Sequence, residues 1–322
     1  MIHRIKTYSI WLVCLFLSAS SLVIGCSKDN IVIDFASNED EFIERYSVSR
    51  ATKHIDCSDG LKILSIGNSL GEDALFYLPD IVRLADVKGV KLGRLCCLGV
   101  DFKTHYDNFK KNNSKYTFYT SEDGSVWNTE SEIKTIGGAL NYETWDIVVF
   151  QDISGYECFQ NYTAFGLAKE MVETIRSGSS NDILFFWHLP WSYGSGFTGS
   201  TFAPFAYNQK QMDSYISEVD KRLVSLGYGI IPTYETFASL RQSAINNPPL
   251  DLTRDGLHAD YGAGRYSASC TWYQVLIYPF SHISIVGNPF RLVNGNVPVD
   301  DTVAGICQEV VSSVASKRES LF

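Results

Sequence analysis

Apolar residues in this chain follow two rhythms. Leu61-Lys62-Ile63-Leu64-Ser65-Ile66, Trp145-Asp146-Ile147-Val148-Val149-Phe150 and Asp182-Ile183-Leu184-Phe185-Phe186-Trp187 are short and nearly unbroken apolar runs, the form of strands buried on both faces of a sheet. Residues 91–98 and Tyr228-Gly229-Ile230-Ile231 read as two more strands. Other segments repeat at helical spacing. Residues 72–88 carry Ala74, Leu75, Leu78, Ile81, Val82 and Ala85, and the same pattern runs over 162–176, 205–226, 236–246, 262–278 and, near the end, 301–316. Strands that alternate with helices predict an α/β fold, a mostly parallel sheet covered on both faces. Tyr116-Thr117-Phe118-Tyr119 and Ser125-Val126-Trp127 flank Asp123-Gly124, a hairpin signal expected to make an excursion from the main sheet.

The start of the chain breaks both rhythms. Arg4 and Lys6 precede an apolar run over about residues 10–24, the pattern of a secretory leader and too short for a spanning helix, which needs roughly 20 apolar residues. The run ends in Leu22-Val23-Ile24-Gly25-Cys26, which resembles a bacterial lipobox. That resemblance implies a signal peptide over 1–25, lipid attachment at Cys26 as the mature N-terminus, and a membrane-anchored, exported lipoprotein of the outer membrane, facing the periplasm or the surface. Residues 26–60 mix Asp, Glu, Asn and Ser without periodicity and read as a tether. Residues 61–322 then form one large domain, with its core over 61–278.

Net charge is −9, and loss of Arg4 and Lys6 with the leader makes the mature chain more acidic still. Without a basic stripe, nucleic acid is excluded as a partner. Past Cys26 stand Cys57, Cys96, Cys97, Cys158, Cys270 and Cys307. Their even number permits disulfides in an oxidising compartment, but a domain of this size does not need them, and free buried thiols fit as well. No Cys-x-x-Cys pair or His cluster points to a metal, and no cofactor is expected.

The candidate chemistry sits at strand ends. Ser69 follows the first strand directly and opens a helical segment, the position where open α/β sheets present ligands. A serine hydroxyl needs a base, and the base needs an orienting group. Thr253-Arg254-Asp255-Gly256-Leu257-His258 places a carboxylate and an imidazole three residues apart on a glycine-containing turn. Gly67-Asn68-Ser69-Leu70 with Asp255-Gly256-Leu257-His258 resembles the first and last blocks of the SGNH hydrolases, also called GDSL esterases. More narrowly, the chain is similar to an SGNH-like family of the domain-of-unknown-function kind, type 4886. The resemblance spans roughly residues 61–278. It implies a flavodoxin-like three-layer α/β/α sandwich and an ester hydrolase with Ser69 as nucleophile, His258 as base and Asp255 as its orienting acid. The G-x-S-x-G reading of Gly67 to Gly71 as an α/β-hydrolase elbow does not fit, because Ser69 follows the first strand and its acid and histidine lie three apart.

Two departures from the family stand out. Asn68 replaces the usual Asp of the first block, a turn-supporting position. The family's Gly-x-Asn-Asp block, whose Asn donates to the oxyanion, has no counterpart; the strand there ends in Phe150-Gln151-Asp152. Gln151 is the expected substitute donor, with the backbone N–H groups of Ser69 and Gly99. Asn68 and Asp152 are further candidates to touch substrate, and so are Trp191 and Tyr193 in an aromatic, glycine-rich stretch after the Trp187 strand, as rings that stack on sugars. His188 lacks an acid neighbour and reads as pocket or core. The substrate implied is a small-molecule or glycan ester, above all an O-acyl carbohydrate. A lipase or thioesterase is the alternative from the same triad, and a glycan-binding lipoprotein that has lost activity is the alternative from another class. The sequence leaves the oligomeric state open.

Overall fold

Among the described residues of the computed structural model, seven strands form one sheet in the order β4-β3-β2-β1-β5-β6-β7. They are β1 (Leu61–Gly67), β2 (Val90–Cys96), β3 (Thr117–Glu122), β4 (Asn128–Thr129), β5 (Ile147–Gln151), β6 (Leu184–His188) and β7 (Gly229–Ile231). The structure describes residues 39–48, 59–153, 159, 163–180 and 182–318. The leader expected over 1–25, the lipid attachment expected at Cys26, most of the expected tether, and Cys57 and Cys158 fall outside the described residues. Strands β2, β1, β5, β6 and β7 are mutually parallel, so the parallel part has the flavodoxin-like order, with its switch point where β1 has β2 on one side and β5 on the other.

Alternation along the strands divides two cores between the faces of the sheet. Leu64, Ile66, Val148, Phe150, Phe185 and Trp187 point to one; Leu61, Ile63, Ile147, Val149, Leu184 and Phe186 point to the other. Strands β5, β6 and β7 therefore bury every residue and β1 all but Lys62, which is why these runs read as unbroken. Helices cover both faces and make the three layers.

The structure corrects several expectations at element ends. The hairpin does not leave the sheet: β3 pairs antiparallel with β2 from Lys91 opposite Glu122 to Cys96 opposite Thr117, extending the edge. Its turn is the two-residue type that Asp-Gly favours, with positive φ at Asp123 and Gly124 (50° and 78°). The helical stretch over 72–88 starts earlier and is split into Ser69–Leu75 and Leu78–Leu84. Pro79 is the cause, because its ring has no N–H to give and would collide with the carbonyl four residues back. The pattern over 205–226 begins as a 3-10 turn, Ser200–Phe205, then breaks at Ala206 and Tyr207, both left-handed, before Asn208 caps Gln209–Ser225. The last core helix, Ala263–Trp272, widens into a π turn at Tyr273–Ile277 ahead of Pro279. The terminal helix spans Asp301–Ser316.

Candidate active site

Ser69 is the first residue of its helix, and Asn68 is the cap. The Asn68 side-chain oxygen accepts from the Leu70 N–H at 3.0 Å, and its amide donates to the Val100 carbonyl at 2.9 Å. The second bond fastens the loop after β2 to the Ser69 turn. Asn68 is 1 % exposed, so it braces the turn rather than meeting substrate.

Gln151 lies beneath this turn. Its Nε2 donates to Asn68 Oδ1 at 3.1 Å, and it too is 1 % exposed. A Cβ built on Gly67 or Gly71 would stand 2.4 or 2.3 Å from Gln151 Oε1, so these glycines exist to let the amide pass close under the backbone. The expected oxyanion donor is thus corrected: the Gln151 amide is engaged as the floor of the turn. Asp152 is corrected in the same way. Its buried Oδ1 accepts from the Phe102 N–H at 2.8 Å and the Ile153 N–H at 2.9 Å, which satisfies the start of the helix Phe102–Lys111. Gly99 stands on an exposed turn with φ 68°, in the loop that Asn68 holds through Val100.

Asp255 and His258 occupy a small antiparallel loop closed by a bridge between Thr253 and Ala259 and by the Arg254 N–H to His258 carbonyl bond at 2.9 Å. Gly256 at φ 85° supplies the left-handed step that the turn requires. Asp255 Oδ1 accepts from the N–H groups of Leu257 (2.9 Å) and His258 (2.7 Å). Its Oδ2 is 2.8 Å from His258 Nδ1, and His258 Nε2 is 3.1 Å from Ser69 Oγ. Burial pushes the Asp255 carboxyl up, but the bonds from the His258 N–H, its ring and the Leu257 N–H outweigh this and hold it below the usual carboxylate range. A serine, an imidazole and an ionised carboxylate therefore line up in hydrogen-bond contact, the arrangement that lets a hydroxyl be deprotonated as it attacks.

The aromatic stretch after β6 is not a substrate surface. Trp191 is fully buried, stacked on Phe237 at 4.5 Å and 12°, and Tyr193 packs against Phe197 and Phe202. Their work is structural: Trp191 Nε1 donates to the Leu257 carbonyl at 2.8 Å, one residue before His258, and the Gly194 N–H donates to the Gly256 carbonyl at 2.7 Å. His188 is buried core, bonded through Nε2 to Thr233 Oγ1 at 2.8 Å.

Sequence reasoning missed Asp73, Arg254 and Arg265, which join the Ser69 helix to the Asp255–His258 turn. Asp73 is a lone carboxylate among the buried residues Leu70, Gly71, Ala74 and Leu75 of its helix, and a charge buried there calls for a partner.

The family model described as "Domain of unknown function (DUF4886)" matches residues 62–296, most of the chain. The chain belongs to the DUF4886 family. A crystal structure of a DUF4886 family protein from Bacteroides uniformis superposes with a TM-score of 0.69 at 25 % identity, covering 80 % of this chain and 95 % of that one. Two more distant likenesses are an assigned SGNH hydrolase from Slackia heliotrinireducens (17 % identity, TM-score 0.44, 66 % of this chain and 97 % of that one) and a lipase/acylhydrolase from Enterococcus faecalis (16 %, 0.41, 66 % and 93 %). No curated protein matches. The DUF4886 match begins at β1 and ends beyond the Asp255–His258 turn, so it contains every residue of the candidate site.

Proposed function

We propose that this DUF4886 chain is a serine ester hydrolase of SGNH type that removes small O-acyl groups from carbohydrate outside the cytoplasm. The observation that carries the chemical part is the unbroken chain from Asp255 Oδ2 through His258 to Ser69 Oγ, 2.8 Å and then 3.1 Å. Ser69 Oγ attacks the ester carbonyl carbon while His258 Nε2 takes its proton. The imidazolium, steadied by Asp255, returns that proton to the leaving alkoxide, which departs as the free alcohol and leaves an acyl-serine. Water then repeats the sequence and releases the acid and the serine.

The tetrahedral oxyanion is met by the N–H of Ser69, which has no intrahelical acceptor at the first helical position, and by the N–H of Gly99. No side-chain amide is assigned to this task, since Gln151 is engaged beneath the turn. Removal of one oxyanion donor typically costs 10²–10³ in rate, so this chain's hydrolysis is slower than that of a site with a full set. The carbohydrate part of the reading rests on the exported, Cys26-anchored character of the sequence and on the family resemblance.

The deciding experiment is labelling with a fluorophosphonate probe, followed by hydrolysis of nitrophenyl esters of graded acyl length and of an acetylated polysaccharide. The folded wild type labels, the label disappears in Ser69→Ala, and acetyl is preferred over long acyl chains. An unlabelled, folded wild type removes the esterase reading; preference for long chains replaces the deacylase with a lipase.

A further inference from the structure

The base and the nucleophile come from parts of the chain almost two hundred residues apart, and their contact depends on something that holds one against the other. Asp73 does this. It lies one helical turn beyond Ser69, on the same side of the helix, and is 1 % exposed. Its Oδ2 accepts from Arg254 Nη1 at 2.9 Å and from the Ala259 N–H at 3.1 Å. Arg254 precedes Asp255 and Ala259 follows His258, so one oxygen grips both ends of the catalytic turn. Its Oδ1 accepts from Arg265 Nε at 2.8 Å, with Nη2 at 2.6 Å, which ties in the helix Ala263–Trp272.

The surroundings favour a strong clamp. Arg265 lies over the rings of Phe76 (4.0 Å) and Tyr261 (4.7 Å), and Arg254 over Tyr261 (4.7 Å). These rings are among the large apolar side chains left partly exposed, at 39 % and 49 %. Their position gives that exposure a purpose: they keep water off the guanidinium faces, which strengthens the pairing beneath. Arg254 Nη1 also donates to the Ala259 carbonyl at 2.6 Å, closing the turn across its neck.

We infer that Asp73 is a positioning residue that sets the distance between His258 and Ser69. Asp255 has the other half of the task. Among the described residues it bonds only within its own turn, to the Leu257 and His258 N–H groups and the His258 ring, so it orients the imidazole but does not fix where the turn lies relative to the serine. The inference rests on the serine-hydrolase reading, and a displacement of about 1 Å in such a contact is worth on the order of 10² in rate.

The test is Asp73→Asn in the otherwise intact chain, assayed with nitrophenyl acetate and the fluorophosphonate probe and solved crystallographically. The expected result is a kcat lower by about 10²-fold with KM within about twofold, a labelling rate reduced by the same factor, and an unshifted acid limb of kcat/KM because Asp255 still holds His258. In the crystal, His258 Nε2 moves out of hydrogen-bond reach of Ser69 Oγ. If loss of the carboxylate prevents folding, Asp73→Glu keeps the charge but moves it by one methylene, and it shows the same kcat loss in a smaller measure. A folded variant with wild-type kcat and an unchanged Ser69–His258 contact overturns the inference. A wild type inert to both reagents sinks the esterase reading instead, and the crystal structure of the variant still decides the clamp.

Discussion

His188 ends β6, in register with Gln151 at the end of β5, while His258 rides a turn that reaches Ser69 from another part of the chain. Both imidazoles therefore stand near the C-terminal edge of the sheet, where ligands of open α/β folds gather. Their surroundings differ in kind. His258 has a carboxylate 2.8 Å behind it and a hydroxyl 3.1 Å in front, and part of its ring is open to solvent. His188 is fully buried; its Nε2 meets Thr233 Oγ1, whose own hydroxyl donates to the Leu189 carbonyl at 2.7 Å, and its Nδ1 has no partner among the described residues. Burial drives its pKa down to about 3. Location at the sheet edge does not make a base. A neighbouring anion that stabilises the imidazolium, and a proton within reach, do.

The largest effect that could break this contrast is at His258. His258→Ala is expected to lower kcat at least about 10³-fold with a melting temperature close to wild type, because the ring is partly exposed and its loss opens no cavity. Steady-state hydrolysis of nitrophenyl acetate beside a thermal melt by circular dichroism checks both halves. Retained turnover would hand the role of base to another group.

An intermediate effect joins the two regions, since Trp191 stands between them. It follows His188 by three residues, stacks on Phe237 and donates to the Leu257 carbonyl beside His258. Trp191→Phe removes that donor and leaves a half-buried carbonyl with a gap beside it, so stability should fall by about 1–3 kcal/mol, read from urea denaturation. KM for a glycan ester should stay within about twofold. A raised KM with intact stability would restore Trp191 as a sugar-stacking ring, the role that its place in a glycine-rich aromatic stretch implied.

That reversal shows what a sequence can and cannot carry. The sheet was legible because strands buried on both faces write unbroken apolar runs, and Ser69, Asp255 and His258 were legible because strand-end placement and the three-residue spacing on a glycine turn are local properties. Gln151 was misjudged for a non-local reason: its amide is captured by Asn68, eighty-three positions away, and only the fold brings them together. Asp73 went unnoticed because its partners, Arg254 and Arg265, are near it in space alone. Trp191 and Tyr193 have the composition of a binding loop, and nothing in their own neighbourhood tells that Phe237, Phe197 and Phe202 cover them.

The smallest effect on activity, and the sharpest on the comparison, concerns acid stability. An ordinary histidine titrates near 6.5, whereas His188 in the fold titrates at about 3. Between those values the unfolded chain holds a proton that the folded chain does not, so stability rises with pH across this window and drains away as the solution is acidified from about 6.5. His105, buried against Tyr116 and lowered to about 4, acts in the same direction. His188→Gln retains a donor for Thr233 but cannot titrate. The variant's stability should depend less steeply on pH between about 4 and 6, by up to one proton or about 1.4 kcal/mol per pH unit, in urea unfolding at pH 4.5, 5.5 and 6.5, while kcat at neutral pH stays within about twofold. An unchanged slope would mean that His188 takes up a proton in the folded state as readily as a free histidine. That result would leave burial without effect on the proton affinity of the His188 imidazole.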